Sequence, residues 1–575
     1  MQKKLTKQEI AEVLEEIGSI LEIKGENPFK VRAYYNAARI VSGLTEDLDD
    51  LIKKNELIEI KGIGKNLAEH IKELHGTGKL KEYEKIMKAV PEGILEMLKI
   101  PGVGPKKVKV LWEKLHVTSI ATLEHVCHQG KIAHLEGFGE KTQQKILEGI
   151  AQVKKHSGQF LYPVAKEAAE TIFKKIKNHS KVKRAEIGGS LRRCKEVVKD
   201  IDIVAATSDP KSVMEVFVKL PQVERVIAHG ETKSAVLLKS GIQADLRCVS
   251  EAEFPFALIY FTGSKEHNVA MRGLAQDKGM KLNEYGLFAK GEKRIPCKDE
   301  ADIFAKFGLA YIPPEIREGT KEIELAKKNQ LPKLVEEKDI RGVFHCHSTY
   351  SDGTASIEQM VLGAKALGFE YFGTADHSQA AQYAGGLSPE RVKKQFQEID
   401  GLNKKLKGIH IFKGIEADIL ADGEVDMGDK VLSSFDYVVA SVHSKFNMPE
   451  AEMTKRVIKA IKNKYVRILG HMTGRLLLAR ESYPLNVQEV IDACADYGVA
   501  IEINSNPMRL DIDWRNIPYA REKKVMFVIN PDAHSVDGIS HYKYGVGIAR
   551  KGWLTAKEVL NTRSLMELDK WLKSN

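Results

Sequence analysis

Residues 186–204 read Glu-Ile-Gly-Gly-Ser-Leu-Arg-Arg-Cys-Lys-Glu-Val-Val-Lys-Asp-Ile-Asp-Ile-Val. The apolar run around Ile201 and Ile203 predicts a strand, and on a strand Asp200 and Asp202 share one face. Two carboxylates on one face of an otherwise apolar strand repel each other, and a divalent cation is the usual resolution. A third carboxylate, Asp245 in Gln-Ala-Asp-Leu-Arg, is expected on a later strand, and three carboxylates suffice for two Mg²⁺ or Mn²⁺ ions. Just upstream, Gly189 and Ser190 offer amides and a hydroxyl to phosphate oxygens, and Arg193 offers a fixed cation. An exposed aspartate pair beside a glycine turn is the bland alternative, and the combined spacing weighs against it.

Upstream the sequence reads as helical, with apolar residues recurring at Ile10, Val13, Leu14, Ile17 and Leu21. One pattern appears three times there: Gly62-Ile63-Gly64-Lys65, Gly102-Val103-Gly104-Pro105-Lys106 and Gly137-Phe138-Gly139-Glu140. Each stands at the expected start of a helix, where free amides can hold a phosphate and nearby lysines add charge. In the third copy Glu140 stands where a lysine would help, so that hairpin is the one expected to be only structural.

Downstream of residue 341, seven short apolar runs each end in polar, mostly ligand-type side chains. They carry His345 and His347, Asp376-His377, Glu416, His443, His471, Glu502 to Asn504, and Asp532 with His534; Asp352 follows the first. Such alternation predicts a β/α barrel, whose strand ends converge on one face. Mixed imidazole and carboxylate donors suit Zn²⁺, Mn²⁺ or Fe²⁺. One histidine after a strand is usually structural; this many requires a run of coincidences.

Net charge is +10 over 575 residues, of which residues 1–340 carry +8 and residues 341–575 only +2. The first part is therefore the better partner for a polyanion. Six scattered cysteines form no Cys-x-x-Cys pair, which argues against a zinc ribbon or a disulfide framework. No apolar run is long enough to cross a bilayer, and the polar start at residues 1–6 lacks a signal-peptide core. These features lead to the expectation of a cytoplasmic, monomeric protein without a membrane partner.

Gly-Gly-Ser-x-Arg-Arg followed by Asp-x-Asp resembles the nucleotidyltransferase superfamily. Tyr260-Phe261-Thr262-Gly263-Ser264, Asn268, Met271-Arg272 and Asn283-Glu284-Tyr285 narrow the likeness to family X DNA polymerases, the group that includes vertebrate polymerase β. The resemblance covers most of residues 1–315. It implies a sugar pocket lined by Tyr260 and Phe261, contacts from Gly189, Ser190, Arg193, Gly263 and Asn268 to the incoming nucleotide, and contacts from Arg272 and Tyr285 to DNA. It also implies DNA-backbone contacts from the helix-hairpin-helix residues Gly62, Gly64, Lys65, Gly102, Gly104 and Lys106. Two positions depart from vertebrate relatives: Gln243 replaces an arginine beside the third aspartate, and His70 replaces the Schiff-base lysine of lyase-active members.

The histidine-rich half resembles the polymerase and histidinol phosphatase (PHP) domain, in which His345, His347, Asp352, His377, Glu416, His443, His471, Asp532 and His534 would be the ligands. The whole is thus expected to be a multidomain α plus α/β chain. Its parts are helical helix-hairpin-helix domains (1–85 and 86–150), a polymerase-β-like palm (151–252) and thumb (253–316), a linker (317–339), and a distorted seven-stranded (β/α)7 PHP barrel (340–575). Its expected substrates are gapped or nicked duplex DNA and deoxynucleoside triphosphates, with 3′→5′ exonuclease, 3′-end cleaning or abasic-site incision at the PHP site. A small-molecule phosphatase, or a DNA-end scaffold with vestigial sites, is the alternative.

Overall fold

The computed structural model describes every residue except 1–4, 6, 43, 45–47, 88–89, 92, 290–292 and 575, so part of the polar N-terminal start lies outside the described residues. The chain divides into two compact units, residues 1–157 with 354–356 and 478–480, and the remainder.

The first unit is helical. Helix Lys7–Ile23 packs along Pro28–Ser42, and Ile10, Leu14, Ile17 and Leu21 are buried at the spacing the sequence announces, with Val13 partly buried against them. Three tight hairpins deliver the chain into helices Lys65–Thr77, Pro105–Leu115 and Glu140–His156.

In the second unit, a five-stranded sheet orders its strands Val182–Ile187, Asp200–Thr207, Gln243–Val249, Lys233–Leu238 and Val223–His229. The strands Asp200–Thr207 and Gln243–Val249 run parallel, with Asp202 opposite Asp245 in register. The two carboxylates that the sequence places 43 positions apart are therefore neighbours across one ladder. Helices Phe254–Thr262 and Lys265–Asp277 follow and pack over a separate apolar core.

The stretch read as a linker is packed. Arg317 and Glu322 are buried, and Ala326 and Leu334 belong to the apolar core that includes Phe304 and Trp553. Its charged residues find partners inside: Arg317 pairs with Glu300 at 2.6 Å and Glu322 with His267 at 2.9 Å. A charged composition reads as solvated only when its partners are invisible, and these are distant in sequence.

The C-terminal half is a ring of parallel strands in two sheets, one of three strands and one of six. The breaks fall inside the second and third apolar runs, at Gly373/Asp376 and Phe412/Gly414, so seven runs become nine short strands. A bridge between Cys346 and Ala533 joins the first run to the last. Asn561, fully buried, laces the same seam: its Oδ1 accepts from Ile529 N at 2.6 Å, and its Nδ2 donates to the carbonyls of Gly342 and Ile529, both at 2.8 Å. Asn561→Ala strands those buried groups, and we expect a loss of about 3 kcal/mol or more, read as a lower midpoint in urea with unchanged m-value.

Candidate functional sites

The first site is a cleft of about 480 Å³ lined by Gly189, Ser190, Arg193, Asp200, Asp202, Tyr260, Phe261, Gly263, Asn268 and Arg272. Every residue expected at the incoming nucleotide is in that lining. Gly189 has φ +64°, and a Cβ there would lie 2.2 Å from the Asp202 carboxylate, so this turn requires glycine to let the carboxylate in. Burial, followed by repulsion from Asp200 and Asp245, pushes the Asp202 pKa up to about 7, and burial followed by repulsion from Asp245 raises Asp200. The donor set is one that a divalent cation would relieve. Asn268 Nδ2 donates to the Tyr260 carbonyl at 2.7 Å, and the Tyr260 and Phe261 rings meet edge to face at 5.2 Å.

At the hairpins, Gly62 and Gly102 have positive φ, +102° and +78°. Gly64 and Gly104 do not, at −79° and −86°, and an added Cβ would meet no described atom within 4 Å. Nothing inside the protein demands glycine at these two helix starts, which points to close approach from outside. Gly139, in the third copy, is at +81°, so its own backbone explains it. That hairpin fits the structural role read from Glu140.

The second site collects all nine expected PHP ligands. Donor atoms lie within 4.8 Å of one another in four overlapping groups: His347, Asp352, His377 and His534; His345, His347 and Asp532; His377, Asp418 and His443; Glu416, His443 and His471. The cluster is mostly buried, yet His345 Nε2, both nitrogens of His347 and His471 Nδ1 have no hydrogen-bond partner. His345 Nε2 and both His347 nitrogens face carboxylates of Glu416, Asp532 and Asp352 without bonding them, as metal ligands would. Burial favours a protonated Glu416, but His443, His345 and His377 hold its carboxyl well below the ordinary range. Asp376 is not a donor to the cluster; it accepts from Ser348, Ser351 and Gln395 and so fixes the loop that carries Asp352.

Along its whole length the chain is 40% identical to the DNA polymerase/3′-5′ exonuclease PolX of Bacillus subtilis (strain 168), over 574 residues that are 99% of this chain and 100% of that one. The chain belongs to the bacterial PolX-like family X polymerases. Within it, residues 6–80 match a helix-hairpin-helix domain, 94–152 a SAM-like helix-hairpin-helix tandem, 257–318 the DNA polymerase beta thumb and 344–506 the PHP domain. DNA polymerase lambda of Rattus norvegicus is 26% identical over 347 residues, 54% of this chain and 56% of that one. A probable phosphatase of Thermoanaerobacter sp. (strain X514) is 30% identical over 177 residues, 29% of this chain and 70% of that one.

Against the family pattern, the Gln243 departure has a structural answer. Gln243 Nε2 donates to Asp245 Oδ1 at 2.8 Å, and Lys233 Nζ reaches Asp245 Oδ2 at 2.9 Å from the neighbouring antiparallel strand. A lysine on a neighbouring strand thus brings to the third aspartate the positive charge that Gln243 lacks. Sequence reasoning passed over Lys233, and also Lys265, which lines the cleft. It passed over Asp418, although Glu416-Ala-Asp418 has the same i, i+2 spacing as His345-Cys-His347. Asp418 Oδ1 accepts from His443 Nδ1 at 2.8 Å, and Glu502 Oε2 accepts from His345 Nδ1 at 2.6 Å, leaving each Nε2 directed at the cluster. Tyr285 is not in the nucleotide cleft; it lines a separate hollow with Arg247 and Glu253. His70 Nδ1 lies 3.1 Å from the Tyr34 hydroxyl, with the rings stacked.

Two predictions follow from this geometry. Gly64→Ala combined with Gly104→Ala lowers the thermal midpoint by no more than about 4–8 °C, since an alanine at each helix start costs about 1 kcal/mol. The same pair weakens binding of gapped duplex by about tenfold in a titration at fixed salt, the scale of one or two lost amide–phosphate bonds. Lys233→Met lowers the single-turnover rate of nucleotide insertion by about tenfold, because the third aspartate loses a charge-assisted partner worth about 1.5–3 kcal/mol; an unchanged rate would show that Gln243 suffices.

Proposed function

We propose that this chain is a bifunctional repair enzyme: it fills short gaps in duplex DNA in the palm cleft and shortens or cleans 3′ termini in the PHP cleft. The observation that carries the reading is the coexistence of two complete, chemically distinct donor sets. The facing pair Asp202 and Asp245 stands with Asp200 on the palm sheet, and the imidazole-rich cluster stands at the strand ends of the barrel. Whole-length likeness to a relative named for both activities supports it.

In the palm, the Gly189 turn and the Ser190 hydroxyl take the triphosphate together with Arg193. Tyr260 and Phe261 face the sugar and disfavour a 2′-hydroxyl. Arg272 is placed for the template strand, while Gly64, Gly104, Lys65 and Lys106 grip the backbone of the duplex without reading its sequence. Asp200, Asp202 and Asp245 would hold Mg²⁺ or Mn²⁺; bound there, such ions neutralise the triphosphate and lower the pKa of the attacking 3′-hydroxyl. In the PHP cleft the nine ligands would hold several ions, of which Mn²⁺, Zn²⁺ or Fe²⁺ suit the donors; bound there, they supply an activated water for phosphodiester hydrolysis. Glu502 and Asp418 fix the imidazole tautomers of His345 and His443. His70 at the Schiff-base position cannot form an imine, so 5′-sugar-phosphate removal would require a lysine elsewhere, such as Lys65, as the nucleophile.

The likeness to probable phosphatases favours a second reading of the PHP cleft, a small phosphomonoester substrate. One assay separates the two: a labelled primer on single-nucleotide-gapped DNA with Mn²⁺, with and without deoxynucleotides, beside histidinol phosphate turnover. We expect extension with nucleotides, 3′ shortening without them and little phosphate release. Asp202→Ala abolishes extension and spares shortening, and His345→Ala does the converse. Equal loss of both activities in either folded variant would contradict two separate sites.

A further inference from the structure

The C-terminal half reaches into the polymerase half at one point with a fully buried ammonium group. Lys551 ends helix Tyr542–Lys551 of the C-terminal half, and its side chain has no exposure to solvent. All three of its N–H donors are used: it bonds the Arg193 carbonyl at 3.0 Å, the Glu315 carbonyl at 3.3 Å and the Glu318 carboxylate. The Trp514 ring lies 4.6 Å away. Glu318 in turn accepts from Arg193 Nε at 3.1 Å and lies 3.5 Å from Lys195. Arg193 Nη1 is anchored on the Thr262 carbonyl, and the guanidinium lines the nucleotide cleft.

Burying a lysine is expensive, and apolar side chains would fill the same space more cheaply. What the charge does here is visible from the sum around Glu318. Arg193 and Glu318 alone make a neutral pair, and a guanidinium neutralised at 3.1 Å has little attraction left for phosphate. A second cation on the same carboxylate restores the arginine's charge toward the cleft. Lys195 is part-exposed and more distant, so water screens it; Lys551 is fully enclosed. Burial raises the Glu318 carboxyl, and the cation that does most to pull it back down is Lys551, ahead of Arg193. The junction is fixed on both sides by further pairs, Arg550 with Glu315 at 2.7 Å and Arg515 with Glu196 at 3.0 Å.

We propose that Lys551, from the C-terminal half, is a positioning residue for nucleotide binding in the polymerase half: it neutralises Glu318 and so keeps the Arg193 guanidinium aimed at, and charged toward, the triphosphate. This rests on the placement of the triphosphate at Arg193 given above. The C-terminal half is then a component of the polymerase site as well as a second enzyme.

The test is steady-state insertion of one nucleotide into single-nucleotide-gapped DNA by the full chain, with 3′ shortening measured on the same preparations. Lys551→Met raises KM for the deoxynucleotide about tenfold, the scale of one charge-assisted hydrogen bond, with kcat within about twofold. Shortening is unchanged, because Lys551 bonds none of the histidine-cluster residues. Adding Glu318→Gln to Lys551→Met removes the neutralising carboxylate and returns KM toward the parent value, a rescue that a merely structural lysine would not show. Should Lys551→Met fail to fold, Lys551→Gln keeps an amide donor for the Arg193 carbonyl and serves the same comparison. An unchanged KM, or parallel loss of both activities with no rescue by Glu318→Gln, overturns the proposal. Parent enzyme that shortens 3′ ends but never extends them would instead remove the polymerase reading on which it rests.

Discussion

Both halves of the molecule are organised around the same physical constraint: groups that repel one another, or that lack partners, are held together on a frame too stiff to let them part. Asp200, Asp202 and Asp245 stand on two strands of one ladder, whose register fixes the spacing of their Cα atoms. Burial first, and then repulsion from neighbouring aspartates, raises the carboxyl pKa values at Asp200 and Asp202. The barrel states the constraint with imidazoles, several of whose buried nitrogens have no hydrogen-bond partner. A fold that keeps such groups buried has a cation as its complement, and the cores around them supply the stiffness.

That stiffness has identifiable sources. Interstrand pairing sets the spacing of the palm aspartates, and a fully buried asparagine closes the barrel seam between first and last strands. Around each cluster lies a shell of groups that bond its members or a loop that carries one of them. Gln243 and Lys233 hold both oxygens of Asp245, Glu502 and Asp418 hold imidazoles, and Asp376 holds the 348–351 loop. These shells convert an approximate cluster into a defined geometry, because each removes a rotamer or tautomer that its neighbour could otherwise adopt.

Most of the donors were legible in the sequence because they obey local rules. Strand periodicity puts Asp200 with Asp202 and His345 with His347, and apolar runs ending in histidine announce a barrel rim. The helix-hairpin-helix copies were legible as repeats, and the sign of φ at the second glycine is what divides the outward-facing pair from the third. What stayed hidden is non-local. Lys233 acts across a strand pairing, and residues 317–339 look like a linker until Glu300 and His267 appear as their partners. Asp418 was within reach, since its spacing from Glu416 repeats that of His345 and His347.

The junction at Lys551 bears on why two reaction centres share one chain. Their donor sets have no residue in common, so neither chemistry requires the other. The framework is less separable. Arg515, Arg550 and Lys551 each place a cation on a carboxylate of the 196–318 region, and Trp553 joins the apolar core of helices Phe254–Thr262 and Lys265–Asp277. Two domains tethered only by a flexible segment would need neither a buried ion pair nor a shared core, since both carry desolvation or exposure penalties when the partner is absent. The interlock therefore makes the C-terminal half part of the environment of Arg193, and cleavage into two free enzymes would leave Glu318 without its principal counter-charge.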